Sequence, residues 1–199
     1  MGDACRVVGV TKLKAPFPWF GGKSRAAHIV WDRFGDVPNY VEPFAGSLAA
    51  GTLSRLAGTG EQITAWMLAL QARLRNVRVA CGDWSRVLGP SVTEKIGVAG
   101  ILLDPPYGDT ARDPSIYTHD DMSVAADVRA WAIGNGSNPM LRIALCGYEG
   151  EHEMPAEWSC VAWKALGGYA AAAGNHDNSR RERIWFSPAC LRPQGKLFD

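Results

Sequence analysis

The feature that most constrains the fold is an alternation of short apolar runs with longer helical or turn-rich stretches. This alternation predicts a parallel sheet whose strands are joined by crossover helices, which is an α/β layer fold. The predicted helices cover residues 24–34, 47–56, 62–75 and 123–131, the last with Ser123 as its N-cap. The predicted strands, several of them rich in Val, Ile and aromatic residues, cover residues 40–43, 77–81, 100–103, 141–146, 159–163 and 183–186.

Length and composition set the general class. The chain has 199 residues, the size of one ordinary domain, so we expect a single domain over residues 1–199. We expect neither a membrane span nor a signal peptide, because every apolar stretch is well short of roughly 18 residues and the N-terminus lacks a cleavage site. The five widely spread cysteines fit a reducing cytoplasm and show no metal-ligand spacing, so no metal site is expected. A net charge of +1 gives no overall basic signature of nucleic-acid binding.

The most specific motif is Asp104-Pro105-Pro106-Tyr107, which directly follows the apolar run 100–103. Its polar groups emerge at the carboxyl end of a strand, where open α/β sheets place their ligand crevices. The two prolines fix φ and lack N–H donors, so the turn offers acceptors only, and these suit an exocyclic base amine. Tyr107 supplies an aromatic face for a base swung out of its stack. The alternative is that the motif is only a strand-ending turn.

Three further segments have the layout of a nucleotide-like binding site. Trp19 and the paired glycines before Lys23 precede a helix-like stretch, although an ordinary glycine turn would look the same. The segment 40–47 reads as a strand, a glycine turn and a helix. Asp83 and Trp84 can grip an adenine through its amine and ring, or can serve as an N-cap and a core residue.

Taken in order, Phe-Gly-Gly-Lys, Glu-Pro-Phe-Ala-Gly, Gly-Asp-Trp and Asp-Pro-Pro-Tyr resemble the Dam-like DNA adenine methyltransferases, called the D12 class. The resemblance implies a Rossmann-like class I fold with a mostly parallel sheet and helices on both faces. It also implies S-adenosylmethionine as cofactor, DNA as partner and N6 of adenine as target, in the cytoplasm of a bacterial or phage-infected cell. The catalytic motif is then Asp104, Pro105, Pro106 and Tyr107. The implied cofactor contacts are Trp19, Gly22, Lys23, Glu42, Phe44, Gly46, Asp83, Trp84 and Asp104.

The sequence departs from the family pattern in two places. A second strand with an acidic residue for the cofactor ribose is absent after the glycine turn, and either an element is lost or a segment is missing near residues 57–60. Only 19 residues separate Trp84 from Asp104, which leaves no room for a target-recognition domain there. The candidate DNA contacts are therefore Arg112 and Tyr117 in one loop, and Arg180 and Arg181 in another, although both loops can equally be solvated surface.

Three other functions stay open. The same acceptor geometry suits N4 of cytosine in DNA, and related motifs serve N2 of guanine in RNA. A non-catalytic DNA-binding remnant is the alternative of a different class. Cofactor binding separates an enzyme from such a remnant.

Overall fold

The structure is a computed structural model that describes residues 26–45, 60–107, 123–163 and 181–192. Contacts divide the chain into two compact units, which are Met1–Ser24 with Gly46–Cys81, and Arg25–Ala45 with Gly82–Asp199. The first unit contains the helix α2, Gly60–Leu74. The second contains the remaining elements, namely the helices α1 (Ala27–Phe34), α3 (Pro90–Thr93) and α4 (Val124–Asn135), a 3₁₀ helix at Trp84–Val87, and the strands β1 (Asn39–Val41), β2 (Ala99–Leu103), β3 (Leu141–Tyr148), β4 (Ser159–Ala162) and β5 (Glu182–Phe186).

The five strands form one mixed sheet in the order β1-β2-β3-β5-β4. The first three run parallel to one another, with Val41 opposite Ile101 and Ile101 opposite Ile143. β5 runs antiparallel to both of its neighbours, β3 and β4. The expectation of an α/β fold is confirmed at this level, but the predicted mostly parallel pairing holds only for β1 to β3.

Helices cover both faces of the sheet. Alternate residues of each central strand point to opposite sides, as the period of a strand requires. One side packs on α1 and the other on α4, so β2 and β3 are buried on both faces, as parallel strands between helices usually are. The α4 face joins Ile101, Leu103, Ile143 and Leu145 to Val128 and Ala132, and the α1 face joins Leu102, Ala144, Ile184 and Phe186 to Val30 and Phe34.

A glycine allows α1 to approach the sheet closely. Gly100 lies on β2 beneath Phe34, and a Cβ atom built at Gly100 would lie 2.6 Å from Cδ2 of that ring. No side chain larger than hydrogen fits there without movement of the helix or the ring. The Phe34 carbonyl, at the end of α1, also accepts a hydrogen bond from Arg142 of β3. α1 is therefore attached to both central strands.

Several boundaries differ from the sequence predictions. The strand predicted over 77–81 is wrong, since these residues are exposed and have no strand assignment. α4 begins after Ser123, as predicted, but the Ser123 side chain makes no capping hydrogen bond to the helix backbone, and α4 extends to Asn135. The helix predicted over 47–56 lies outside the described residues, and of the place near residues 57–60 where a segment could be missing only Gly60, the start of α2, is described. Among the described helices, none is long and apolar enough to span a membrane.

Candidate functional site

The carboxyl edge of the parallel strands brings together three acidic side chains. Glu42 directly follows β1 and Asp104 directly follows β2, and these two strands are neighbours. Because β5 runs in the opposite direction, its first residue lies at the same edge, where Glu182 is opposite Tyr148 at the end of β3. Such an edge is where α/β sheets bind ligands. The polar groups predicted at the carboxyl end of β2 are therefore joined by acids of β1 and of β5, and β3 lies between β2 and β5.

The Asp-Pro-Pro-Tyr turn is anchored by the buried strand before it. All five residues of β2 are buried, and Pro105 is buried as well, whereas Asp104 and Tyr107 are partly exposed. The two prolines contribute no N–H group to the turn. The Asp104 carboxylate is thus held on a rigid support and remains partly accessible.

Tyr107 links two of the carboxylates. Its hydroxyl lies 3.1 Å from Oδ1 of Asp104 and 3.0 Å from Oε2 of Glu182. Its ring meets the Tyr148 ring edge to face, with 4.6 Å between the centroids. Burial, together with the charges of Asp104 and Glu182, raises the pKa of Tyr107 well above its usual value. Tyr107 is therefore a protonated donor placed between two acceptors.

Glu42 lies in an environment that disfavours its charge. Burial raises the pKa of the Glu42 carboxyl, and the nearby charge of Asp104 raises that pKa further. The Tyr40 hydroxyl opposes this shift by donating a hydrogen bond of 3.0 Å to Oε2 of Glu42. A bound cation would relieve the repulsion between the two carboxylates.

Asp83 and Trp84 connect to the segment that follows β1. Asp83 is the N-cap of the 3₁₀ helix, and its Oδ1 accepts a 2.9 Å hydrogen bond from the backbone N–H of Ser85. The Ser85 donors lower the pKa of Asp83. Trp84 packs on the α4 face of the core and stacks on Phe44, with ring centroids 6.2 Å apart. The capping role of Asp83 is thus shown, whereas its cofactor role stays a prediction. The contact between Trp84 and Phe44 brings two of the predicted cofactor motifs together.

Arg181 is the described member of the predicted DNA contacts. It is exposed, and its guanidinium lies 5.1 Å from the centre of the Tyr148 ring. This cation–π contact places a positive charge beside the acidic edge, one residue before Glu182. The other predicted residues, Trp19, Gly22, Lys23, Gly46, Arg112, Tyr117 and Arg180, lie outside the described residues.

Sequence reasoning missed Glu182 and Tyr148 as members of this site. Glu182 directly precedes the predicted strand 183–186 and was given no role, yet it is buried, with 8% of its surface exposed. A carboxylate close to the apolar residues Ile184, Trp185 and Phe186 was the available signal, because buried acids need partners. Tyr148 gave no such signal, since an aromatic residue at the end of an apolar strand is common.

The chain was compared with protein-family models, curated protein sequences and solved structures, and no match was found.

Proposed function

We propose that this chain is an S-adenosylmethionine-dependent methyltransferase that modifies an exocyclic base amine, with N6 of adenine in DNA as its target. The observation that carries the proposal is the Asp-Pro-Pro-Tyr turn at the end of β2. There, Asp104 and the Pro105 carbonyl are acceptors beside a tyrosine, on a support without N–H donors at the prolines. The order of the four motifs adds the resemblance to the D12 class and its Rossmann-like fold.

The chemistry asks the protein to change the geometry of one nitrogen. The lone pair of an exocyclic amine is delocalised into the base ring and is a poor nucleophile in that state. Asp104 and the Pro105 carbonyl can each accept one N–H of the amine, which concentrates the lone pair on nitrogen. The amine becomes acidic as the methyl group is added, and the Asp104 carboxylate is then its proton acceptor.

The described residues fit the proposed cofactor. When bound, S-adenosylmethionine supplies an electrophilic methyl group on a positively charged sulfur. A cation suits a site where Glu42 and Asp104 repel each other and where the Phe44 and Trp84 rings stack nearby. Asp83 and Trp84 would hold the adenine end of the cofactor. The resemblance alone adds Trp19, Gly22, Lys23 and Gly46 as expected cofactor contacts.

One observation favours the remnant as the second candidate. In the described part of the chain, β1 pairs with β2 and with no other strand. In the family that the sequence resembles, a further strand after the glycine turn carries the acidic residue for the cofactor ribose. An enzyme lacking it must hold the ribose by other groups, whereas a remnant would bind no cofactor.

The test is transfer of a labelled methyl group to unmethylated DNA by the wild-type chain and two variants. Asp104→Ala should lower transfer by about 100-fold or more, because it removes the acceptor that acts on the reacting amine. Asp32→Ala, an exposed aspartate on α1, is the matched control and should keep wild-type activity. Transfer that survives in Asp104→Ala would reject the proposed role of the turn. Absence of both transfer and cofactor binding in the wild type would favour the remnant.

A further inference from the structure

Two carboxylates compete for one hydroxyl proton at the edge of the sheet. The Tyr107 hydroxyl is within hydrogen-bond distance of Asp104 Oδ1, at 3.1 Å, and of Glu182 Oε2, at 3.0 Å. A tyrosine hydroxyl carries a single proton. At any moment it can donate that proton to only one of the two acids.

This competition matters for the acid that must receive the target amine. While Tyr107 donates to Asp104, it fills one acceptor position on Oδ1 that an incoming N–H could use. A base amine could displace the hydroxyl only at the cost of a hydrogen bond to a charged group. A second acceptor within reach of the hydroxyl removes that cost, because the proton turns towards the second oxygen and the number of hydrogen bonds is kept.

We propose that Glu182 is a positioning residue that takes over the Tyr107 hydroxyl when the target amine binds Asp104. The inference rests on the function proposed above and deepens it by adding a residue to the same site. Glu182 touches neither the base nor the cofactor in this account. It acts through Tyr107, whose ring and hydroxyl it keeps in place while Asp104 is engaged.

The placement of Glu182 supports this role. Its backbone carbonyl is fixed by the Trp163 N–H at 3.2 Å and by Nη1 of Arg183 at 2.9 Å. Its strand partner is Tyr148, whose ring holds the Tyr107 ring edge to face. A carboxylate is costly to bury in a sheet core, so hydrophobic packing alone would not place one there. The backbone contacts and the aromatic neighbour thus hold the carboxylate beside the Tyr107 hydroxyl.

Two conservative variants at position 182 distinguish the position of the acceptor oxygen from its charge. Glu182→Gln keeps the side-chain length and a carbonyl acceptor but loses the charge. Glu182→Asp keeps the charge but withdraws the acceptor by about 1.5 Å, one carbon–carbon bond. Methyl transfer is measured as kcat and as KM for DNA, beside the dissociation constant for S-adenosylmethionine. The matched control is Glu149→Asp, a 64% exposed carboxylate on the adjacent turn that pairs with Arg183 at 2.7 Å.

The acceptor role predicts opposite results for the two variants. Glu182→Asp should raise KM for DNA by about tenfold, with cofactor affinity and thermal stability close to those of Glu149→Asp. Glu182→Gln should stay within about threefold of wild type. Adding Tyr107→Phe to Glu182→Asp should lower KM again, because no hydroxyl then competes for Asp104.

Several results would contradict the proposed role of Glu182 or the function on which it rests. Wild-type behaviour of Glu182→Asp, or impairment of Glu182→Gln alone, would mean that charge rather than acceptor reach matters and would overturn the inference. Failure of Tyr107→Phe to lower KM would also overturn it. A wild-type chain that transfers no methyl group would overturn the proposed function itself, together with the inference.

Discussion

Substituting Gly100 by alanine tests the packing that supports β2 and the Asp-Pro-Pro-Tyr turn after it. Gly100 lies on β2, four residues before Asp104, and faces Phe34 of α1. The added methyl carbon would lie 2.6 Å from one ring atom of Phe34 and 3.0 and 3.1 Å from two others. Ordinary carbon–carbon contacts are about 3.5–4.0 Å, so the ring or the helix must move by close to 1 Å.

The expected cost follows from this overlap. Forcing an extra carbon into a close-packed core costs about 1–3 kcal/mol in the free energy of unfolding. For a chain of this length, each kcal/mol corresponds to about 2–4 °C in Tm, so Gly100→Ala should lower Tm by about 2–12 °C. Thermal and urea unfolding measure both quantities. Adding Phe34→Ala should make the alanine at position 100 less costly than it is in the wild-type background.

Comparing Gly100→Ala in the wild-type and Phe34→Ala backgrounds shows whether the predicted contact between positions 100 and 34 exists. The penalty of Gly100→Ala, measured with and without Phe34, isolates the contact between the two residues. An equal penalty in both backgrounds would show that Phe34 does not lie over β2. A Gly100→Ala chain as stable as the wild type would refute the close approach of α1 to the sheet.

Two other predictions concern pH and the cofactor. Burial lowers the pKa of His152 below 6.5, so the folded chain binds fewer protons than the unfolded chain. The free energy of unfolding should therefore be highest above about pH 6.5. Below that pH it should fall by up to about 1.4 kcal/mol per pH unit. Urea unfolding between pH 5 and 8 should show a shallower dependence for His152→Gln, and an unchanged slope would contradict this. Asp83→Ser, which can still cap the 3₁₀ helix, should keep wild-type Tm but weaken cofactor binding, whereas Asp83→Ala should lower both. Unchanged cofactor affinity in both variants would leave Asp83 with the capping role alone.

The local sequence pattern was sufficient to predict a strand that is buried and continuous. The apolar run ending at Leu103, followed by Asp104 and two prolines, predicted both a strand and its end, and β2 ends there. The prolines cannot continue a central strand, so the sequence itself indicates where β2 ends. The position of Asp104 at the edge of the sheet could therefore be predicted from its neighbours alone.

The same reasoning failed over residues 77–81. Valines and a cysteine suggested a buried strand, but Val79 is 82% exposed and the described chain offers this segment no strand partner. β-propensity records how well a side chain packs against neighbouring strands. Composition alone cannot show whether such a neighbour exists.

Long-range contacts at the site were beyond any local pattern. Tyr107 and Glu182 are 75 positions apart, and they meet because β5 runs antiparallel to β3. Nothing in the residues of β5 specifies its direction or its neighbour. The sequence could indicate one acceptor at the end of β2, but not the second acid that shares the Tyr107 hydroxyl.

The most direct test of the central claim is to identify the base that receives the methyl group. The wild-type chain is incubated with labelled S-adenosylmethionine and unmethylated duplex DNA, or with RNA, and the products are digested to nucleosides and separated. We predict label in N6-methyladenine from DNA. Label in N4-methylcytosine or in N2-methylguanine would keep the reaction class and reject the proposed base. Label in no nucleoside of either nucleic acid would contradict the claim that this sheet edge is a methyl-transfer site.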